Sequence, residues 1–231
     1  MEQLLSEAME DYLKTIYHLR EESGVGGASP RAATTQAIAE SLKVAPPSAT
    51  AMIKKLAALG LVSHTPYHGV ELTPIGEKAA LEVVRHHRLS ETFLAQIVGI
   101  GWDKAHQEAE KWEHILSEEV EERMAHLLGH PTHDPHGAPI PSLDGKVAKE
   151  PLRPLSQIGA GTRVIVRRVP DEDGALLRHL SEVGLVPGTP VEVLRANPAE
   201  GVLGLGIGDQ TLTLGLSPAA AVWVEDIAKV E

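Results

Sequence analysis

The chain has 231 residues, with 21 basic and 32 acidic side chains, a formal net charge of −11 and no cysteine. The lack of cysteine excludes a disulfide scaffold, a thiolate zinc finger, a Cys-ligated iron–sulfur cluster and a cysteine nucleophile. The length suits one large domain or, more often, two or three small ones, the 42% hydrophobic and 23% charged composition is that of a soluble globular protein, and the acidic total on its own speaks against a nucleic-acid partner.

In chain order, residues 2–22 read as a helix, with Leu5, Met9, Leu13, Ile16 and Leu19 at helical spacing. Its start, MEQLLSEAMEDYLK, is acidic and lacks a signal-peptide pattern. No apolar run in the chain approaches the roughly 18 residues of a membrane span, so a cytoplasmic protein is expected. A Gly/Ser loop, Ser23–Pro30, ends the helix. Thr35–Leu42 forms a short helix with Ile38, Ala39 and Leu42 on one face. Val44–Pro47 breaks it, and Pro47 opens the next helix, which runs to Leu59 and stops at Gly60. Residues 61–72 read as strand, Gly-containing turn, strand. Helix, helix, helix, hairpin is the order of a winged helix-turn-helix. Two long helices follow, Pro74–Val98 and Trp102–Leu128.

Residues 129–156 hold prolines outside any periodic pattern and read as connecting chain. The histidines of Gly129–Gly137 (GHPTHDPHG) are read with it, as loop structure rather than a zinc site. From Gln157 short strands are expected at Thr162–Val169, Pro190–Leu194, Val202–Ile207, Gln210–Leu216 and Ala221–Glu225, with a helix near Ala175–Val183. This is the texture of a small β-barrel. The fold class is therefore mainly α with a β C-terminal domain. The expected divisions are 1–73 for the winged domain, 74–145 for a helical metal-binding and dimerisation domain, 146–156 for a linker and 157–231 for the barrel.

The segment TTQAIAESLKVAPPSATAMIKKLAALGLV (34–62) carries the nucleic-acid signal. The first turn of its second helix offers Pro47, Ser48, Thr50 and Ala51 to base edges and thymine methyls in a major groove. Lys54 and Lys55 further along suit phosphates, which position a protein without reading sequence, and Thr35 and Gln36 on the preceding helix are counted with the DNA-binding residues. Residues 31–70 hold Arg31, Lys43, Lys54 and Lys55 against Glu40 alone, so the reading head is basic while the acidity lies elsewhere.

A second constellation points to metal. The helix from Trp102 carries His106, Glu110, Glu113 and His114 on one face over two turns. The helix before it carries His87 and Glu91, four apart, and the first helix carries Glu10 and Asp11. Carboxylates and imidazoles repeated at helical spacing repel unless a cation sits between them, and helical bundles build metal sites this way.

The runs EDYLKTIYHL (10–19), the helix-turn-helix, VVRHHRLSETFL (83–94), HQEAEKWEHILSEEVEERM (106–124) and DPHGAPIPSLDG (134–145), in this order, resemble the DtxR/MntR family of iron- and manganese-dependent regulators. Residues 157–231 resemble the SH3-like, FeoA-type domain of its longer members. The resemblance implies a primary metal site of Asp11, Glu110, Glu113 and His114, and a second site of His87, Glu91 and His106. For the latter, Glu172 or Asp173 is the choice for a ligand from the C-terminal domain. It implies a homodimeric repressor, not an enzyme, that binds a two-fold symmetric operator of double-stranded DNA and controls metal homeostasis genes. Iron-type members place Met and Cys where Asp11 and Glu110 stand here, so oxygen donors select Mn(II), with Fe(II) as the alternative. Lys14 stands where short manganese-type members place a ligating Glu, and a protonated lysine cannot ligate. The competing readings are a winged-helix regulator with an organic effector in a deep apolar cavity of the barrel, and a metal-dependent hydrolase, for which no nucleophile stands beside the cluster.

Overall fold

The computed structural model describes residues 5–23, 32–65, 68–197 and 199–227. The chain divides into two compact units: residues 1–87 with 112–117 and 141–147, and residues 88–111 with 118–140 and 148–231.

The first unit contains α1 (Glu7–Ser23), α2 (Thr35–Ser41), α3 (Pro46–Ala58), β1 (Val62–Thr65), β2 (Gly69–Leu72) and α4 (Pro74–Phe93) as far as His87. The Thr34 hydroxyl caps α2 by accepting from the Ala37 N–H at 3.0 Å. Pro46 and Pro47 occupy the first turn of α3, where a missing N–H loses nothing. The tight turn between these helices puts Lys43 in the left-handed region, at φ 53°. Leu13 and Ile16 of α1, Ile38 of α2, Ile53 and Leu56 of α3, Val70 of β2 and Val84 of α4 are all fully buried in one core. The hairpin pairs Val62 with Leu72 and Thr65 with Gly69, and Ala33 bridges to Val70 on its edge. This is the winged helix-turn-helix expected. Residues 24–30 of the Gly/Ser loop, Arg31, and Pro66 and Tyr67 at the hairpin tip lie outside the described residues.

The second unit begins with the end of α4 and a π-helical turn at Leu94–Val98, closed by Gly99 at φ 82°. There follow α5 (Trp102–Ala109), α6 (Glu118–Leu127), β3 (Arg153–Pro154), β4 (Arg163–Arg168), α7 (Gly174–Glu182), β5 (Pro190–Asn197), β6 (Val202–Ile207), β7 (Gln210–Gly215), α8 (Leu216–Ala220) and β8 (Trp223–Asp226). The strands form one antiparallel sheet in the order β3-β8-β4-β5-β6-β7. Irregular register at Val166/Arg168 and Val193/Arg195 bends β4 and β5. Leu155, Val164, Val166, Leu177, Leu180, Val193 and Leu205 share its core.

Three features differ from the sequence expectation. The helix expected over Trp102–Leu128 is two helices, separated by turns at 110–115. There the backbone closes on i−3 carbonyls, Lys111 N–H on Glu108 and Ile115 N–H on Trp112, both at 3.1 Å. The helix gives way where Glu113 turns inward. The chain read as linker to residue 156 is ordered from 153, where Arg153 and Pro154 pair with β8 and Leu155 is fully buried. Finally, Leu216 opens a short helix rather than ending a strand. Among the described residues no helix is long and apolar enough to cross a membrane.

Candidate metal centres and nucleic-acid interface

The first unit brings α1 against the turn at 112–117. Asp11, Glu113 and His114 each offer one donor atom, all within 4.8 Å of one another. His114 Nε2 lies 3.0 Å from Asp11 Oδ1 and 3.3 Å from Glu113 Oε1. Its other nitrogen, Nδ1, meets Glu10 Oε2 at 2.7 Å. A carboxylate holding the far nitrogen of an imidazole is the usual way to aim a ligating histidine. Glu113 is 1% exposed. One of its oxygens accepts from the Lys14 ammonium at 2.6 Å, the other faces His87 Nδ1, and its backbone carbonyl meets His86 Nδ1 at 3.1 Å. Burial works against its charge, but His87 and Lys14 outweigh burial and hold the carboxyl below its ordinary range. Asp11 moves the other way: burial raises its pKa against the pull of His114 and Lys14.

The second unit gathers Glu91, Asp134, His136 and Asp171, again with one donor atom from each inside 4.8 Å. His136 is fully buried and stacks on the Trp102 ring, centroids 5.5 Å apart. Its Nε2 donates to the Trp102 carbonyl oxygen at 2.9 Å, which turns Nδ1 towards Glu91 Oε2 at 3.7 Å. Asp134 Oδ1 accepts from the His136 and Ala138 N–H groups at 2.8 and 2.9 Å, shaping the loop as an Asx turn. Its Oδ2 lies 3.8 Å from Arg88 Nε. Gly137, at φ 89°, lets this loop press on β4, because a Cβ there would overlap the Arg167 carbonyl oxygen. His106 Nδ1 meets Glu91 Oε1 at 3.1 Å and lies 3.9 Å from Asp171 Oδ2.

The donors fit a divalent cation. Asp134 Oδ2 and His136 Nδ1 are buried atoms with no hydrogen-bond partner. Each such atom costs about 1–3 kcal/mol, which a cation beside it would offset. Both clusters consist of oxygen and imidazole donors without sulfur, the set that suits Mn(II) and tolerates Fe(II). Burial disfavours an imidazolium at His136, but Glu91, Asp134 and Asp171 overcome it and raise the pKa to about 9. Burial, with Glu91 adding, raises Asp134 to about 6.

The other residues singled out in the sequence are placed as follows. Glu110 is exposed, with Oε1 3.8 Å from His106 Nε2 in the second unit. His87 belongs to the first unit, as the partner of Glu113. Asp173 is the N-cap of α7, its Oδ1 accepting from the Ala175 and Leu176 N–H groups at 2.9 and 3.0 Å. Glu172 is exposed. The acid that reaches the cluster is Asp171. Asp134 and His136, read in the sequence as loop structure, stand in the same group as Glu91 and Asp171. The signal that could have found them is an acid and an imidazole two residues apart in a Pro/Gly turn. Ile115, next to His114, is 72% exposed.

On the DNA-reading face, Pro47, Ser48, Ala51, Lys54 and Lys55 of α3 are exposed. Thr50 is half-buried and its hydroxyl donates to the Pro46 carbonyl oxygen at 2.9 Å. On α2, Thr35 is half-buried, and Gln36 is exposed and donates to Glu40 at 2.8 Å. The C-terminal sheet carries a surface depression of about 460 Å³ rimmed by Arg163, Glu192 and Asp209. It is not the deep apolar cavity that an organic effector requires.

Comparison with known proteins agrees with this layout. The profile described as "Iron dependent repressor, N-terminal DNA binding domain" matches residues 4–70. "Iron dependent repressor, metal binding and dimerisation domain" matches 73–142, and "FeoA domain" matches 153–226. The chain is 34% identical over 235 residues to the iron-dependent repressor IdeR of Mycobacterium leprae, covering 96% of this chain and 99% of that one. It is 36% identical over 200 residues to the diphtheria toxin repressor of Corynebacterium efficiens, covering 82% and 84%. A solved manganese-dependent transcriptional repressor in complex with manganese superposes with a TM-score of 0.87 at 36% identity, covering 95% of this chain and all of that one.

Proposed function

The chain belongs to the iron-dependent repressor family of metal-dependent transcriptional regulators, and from that premise we propose that it binds operator DNA as a homodimer when loaded with Mn(II), or alternatively Fe(II), and represses metal homeostasis genes in the cytoplasm. One observation carries the reading: His114 and Asp11, 103 residues apart in sequence, face each other beside the buried Glu113.

A bound divalent ion supplies the positive charge that lets these carboxylates converge. Asp11 ties α1 to the 112–117 turn, while Glu10 and His87 hold the His114 and Glu113 side chains in register. The opposite face of α1, through Leu13 and Ile16, packs in the core that seats Ile38, Ile53 and Leu56 of the helix-turn-helix. Fixing α1 therefore fixes α3. Ion binding and DNA binding are then coupled because both favour the same conformation. A second ion is assigned to Glu91, Asp134, His136 and Asp171, with His106 against Glu91. In the proposed complex the first turn of α3 reads a major groove and Lys54 and Lys55 contact phosphates. The exposed Val120 and Leu127 of α6 supply apolar surface for the dimer, whose two heads meet a two-fold symmetric operator.

The test is selection of a binding site from a random duplex pool with Mn(II) present, followed by gel shift. Binding is expected to be lost with EDTA and to fall about 100-fold or more in Glu113→Ala, by the size of coupling such switches carry. Undiminished binding by the metal-free protein overturns the reading.

A further inference from the structure

Within the first centre, one cation is already present. Lys14 stands three residues after Asp11 on α1, on the same face of the helix. Its side chain is 11% exposed, and its ammonium donates at 2.6 Å to Oε1 of Glu113, a carboxylate only 1% exposed. That same Oε1 lies 3.3 Å from His114 Nε2, whose opposite neighbour is Asp11. The lysine therefore holds the very oxygen that the Asp11–Glu113–His114 cluster would present to an ion.

We propose that Lys14 is the resident counter-cation of this centre, so that a divalent ion enters by taking Glu113 from the Lys14 ammonium. The inference rests on the reading of Asp11, Glu113 and His114 as a divalent-ion site. Glu113 is buried, and a buried carboxylate without a partner is strongly destabilising. Lys14, with His87 on the other oxygen, answers it in the metal-free protein. The same ammonium opposes an incoming cation. The result is a centre whose affinity is set below what its donors alone would give. A monovalent ion gains nothing by such an exchange, whereas a divalent ion brings the extra charge needed to displace it. In a sensor, this places the threshold at a metal concentration that can both rise above it and fall below it.

The experiment uses the full chain, with Mn(II) binding followed by electron paramagnetic resonance of the free ion and thermal unfolding measured with EDTA and with saturating Mn(II). Lys14→Met is expected to bind Mn(II) at least about tenfold more tightly at the Asp11-dependent site, since a nearby like charge has been removed. Its metal-free form is expected to melt several degrees lower, while its Mn(II)-loaded form melts close to the parent. Lys14→Arg, which keeps the charge, should retain the parent affinity. If Lys14→Met does not fold without metal, Lys14→Gln makes the same comparison, because it can still donate to Glu113 but carries no charge. A lysine with only a structural role would lower both melting temperatures and leave affinity unchanged or weaker. That result overturns the proposal, as does a gain in affinity that persists in an Asp11→Ala background. If Asp11→Ala and His114→Ala leave the Mn(II) isotherm unaltered, the site reading fails and the inference falls with it. Asp11-dependent binding that ignores Lys14→Met sinks the inference alone.

Discussion

The two donor clusters use the same chemistry and differ in what answers their charge. In the first unit Glu113 is met on one oxygen by the Lys14 ammonium and on the other by His87, and its carboxyl is held low. In the second unit three acids face a single buried imidazole, and the guanidinium of Arg88 stays 3.8 Å from Asp134, whose pKa rises to about 6. One cluster pairs its buried acid at close range with an ammonium and an imidazole. The other concentrates like charge and leaves buried atoms without hydrogen bonds. If each cluster holds a divalent ion as proposed, the first has its charge answered before the ion arrives, while the second has buried atoms that an ion would satisfy.

The largest expected effect separates the clusters by geometry. Gly137→Ala forces a Cβ onto the Arg167 carbonyl oxygen at a φ of 89° and displaces the loop that carries Asp134 and His136. We expect a loss of about 3 kcal/mol or more in denaturant unfolding, together with loss of one Mn(II) equivalent. Binding at the Asp11-dependent site should survive. If both equivalents disappear together, the clusters are one cooperative centre and the comparison breaks.

The next effect tests its sign. The same acid-to-amide change should act in opposite directions on the metal-free protein. Glu113→Gln removes the countercharge of a buried ammonium and should destabilise by about 3 kcal/mol. Asp134→Asn keeps an oxygen for the His136 and Ala138 N–H groups and removes a charge beside Glu91. It should stabilise the metal-free fold by about 1 kcal/mol, while weakening Mn(II) binding. Unfolding in EDTA measures both, and equal signs would show that the charge imbalance between the clusters does not matter.

Much of the first unit was legible from local pattern. Ile38, Ile53 and Leu56 repeat at helical spacing and are all fully buried. The proline pair opens α3, and the hairpin follows Gly60 as expected. The donors were harder to read because tertiary contacts place them. Trp112, Ile115 and Leu116 continue a helical period through the segment where the backbone turns, and only Lys14 and His87, far away in sequence, explain why Glu113 faces inward. His136 sits in a Pro/Gly loop whose composition reads as connecting chain. Its burial comes from Trp102 stacking and from the close approach at Gly137. Lys14 was visible as a residue that cannot ligate, but its pairing with Glu113 spans 99 residues and leaves no local trace.

The smallest effect sharpens the second cluster at its edge, among three consecutive acids. Asp171, Glu172 and Asp173 are equivalent by composition, yet Asp173 is followed directly by the helical run Gly174–Glu182, which is the pattern of an N-cap. Its carboxylate satisfies two backbone N–H groups and is spent on the helix. Asp171, two residues earlier, reaches the donors around Glu91 and lies 3.9 Å from His106. Asp173→Ala should therefore cost about 1 kcal/mol of stability and leave the Mn(II) stoichiometry intact. Asp171→Ala should leave stability in EDTA unchanged or slightly improved, since one like charge is gone, while weakening the second equivalent about tenfold or more. Calorimetric titration of the two variants side by side decides between them. A reversed pattern, with metal lost in Asp173→Ala alone, would return the ligand to the helix cap and remove Asp171 from the cluster.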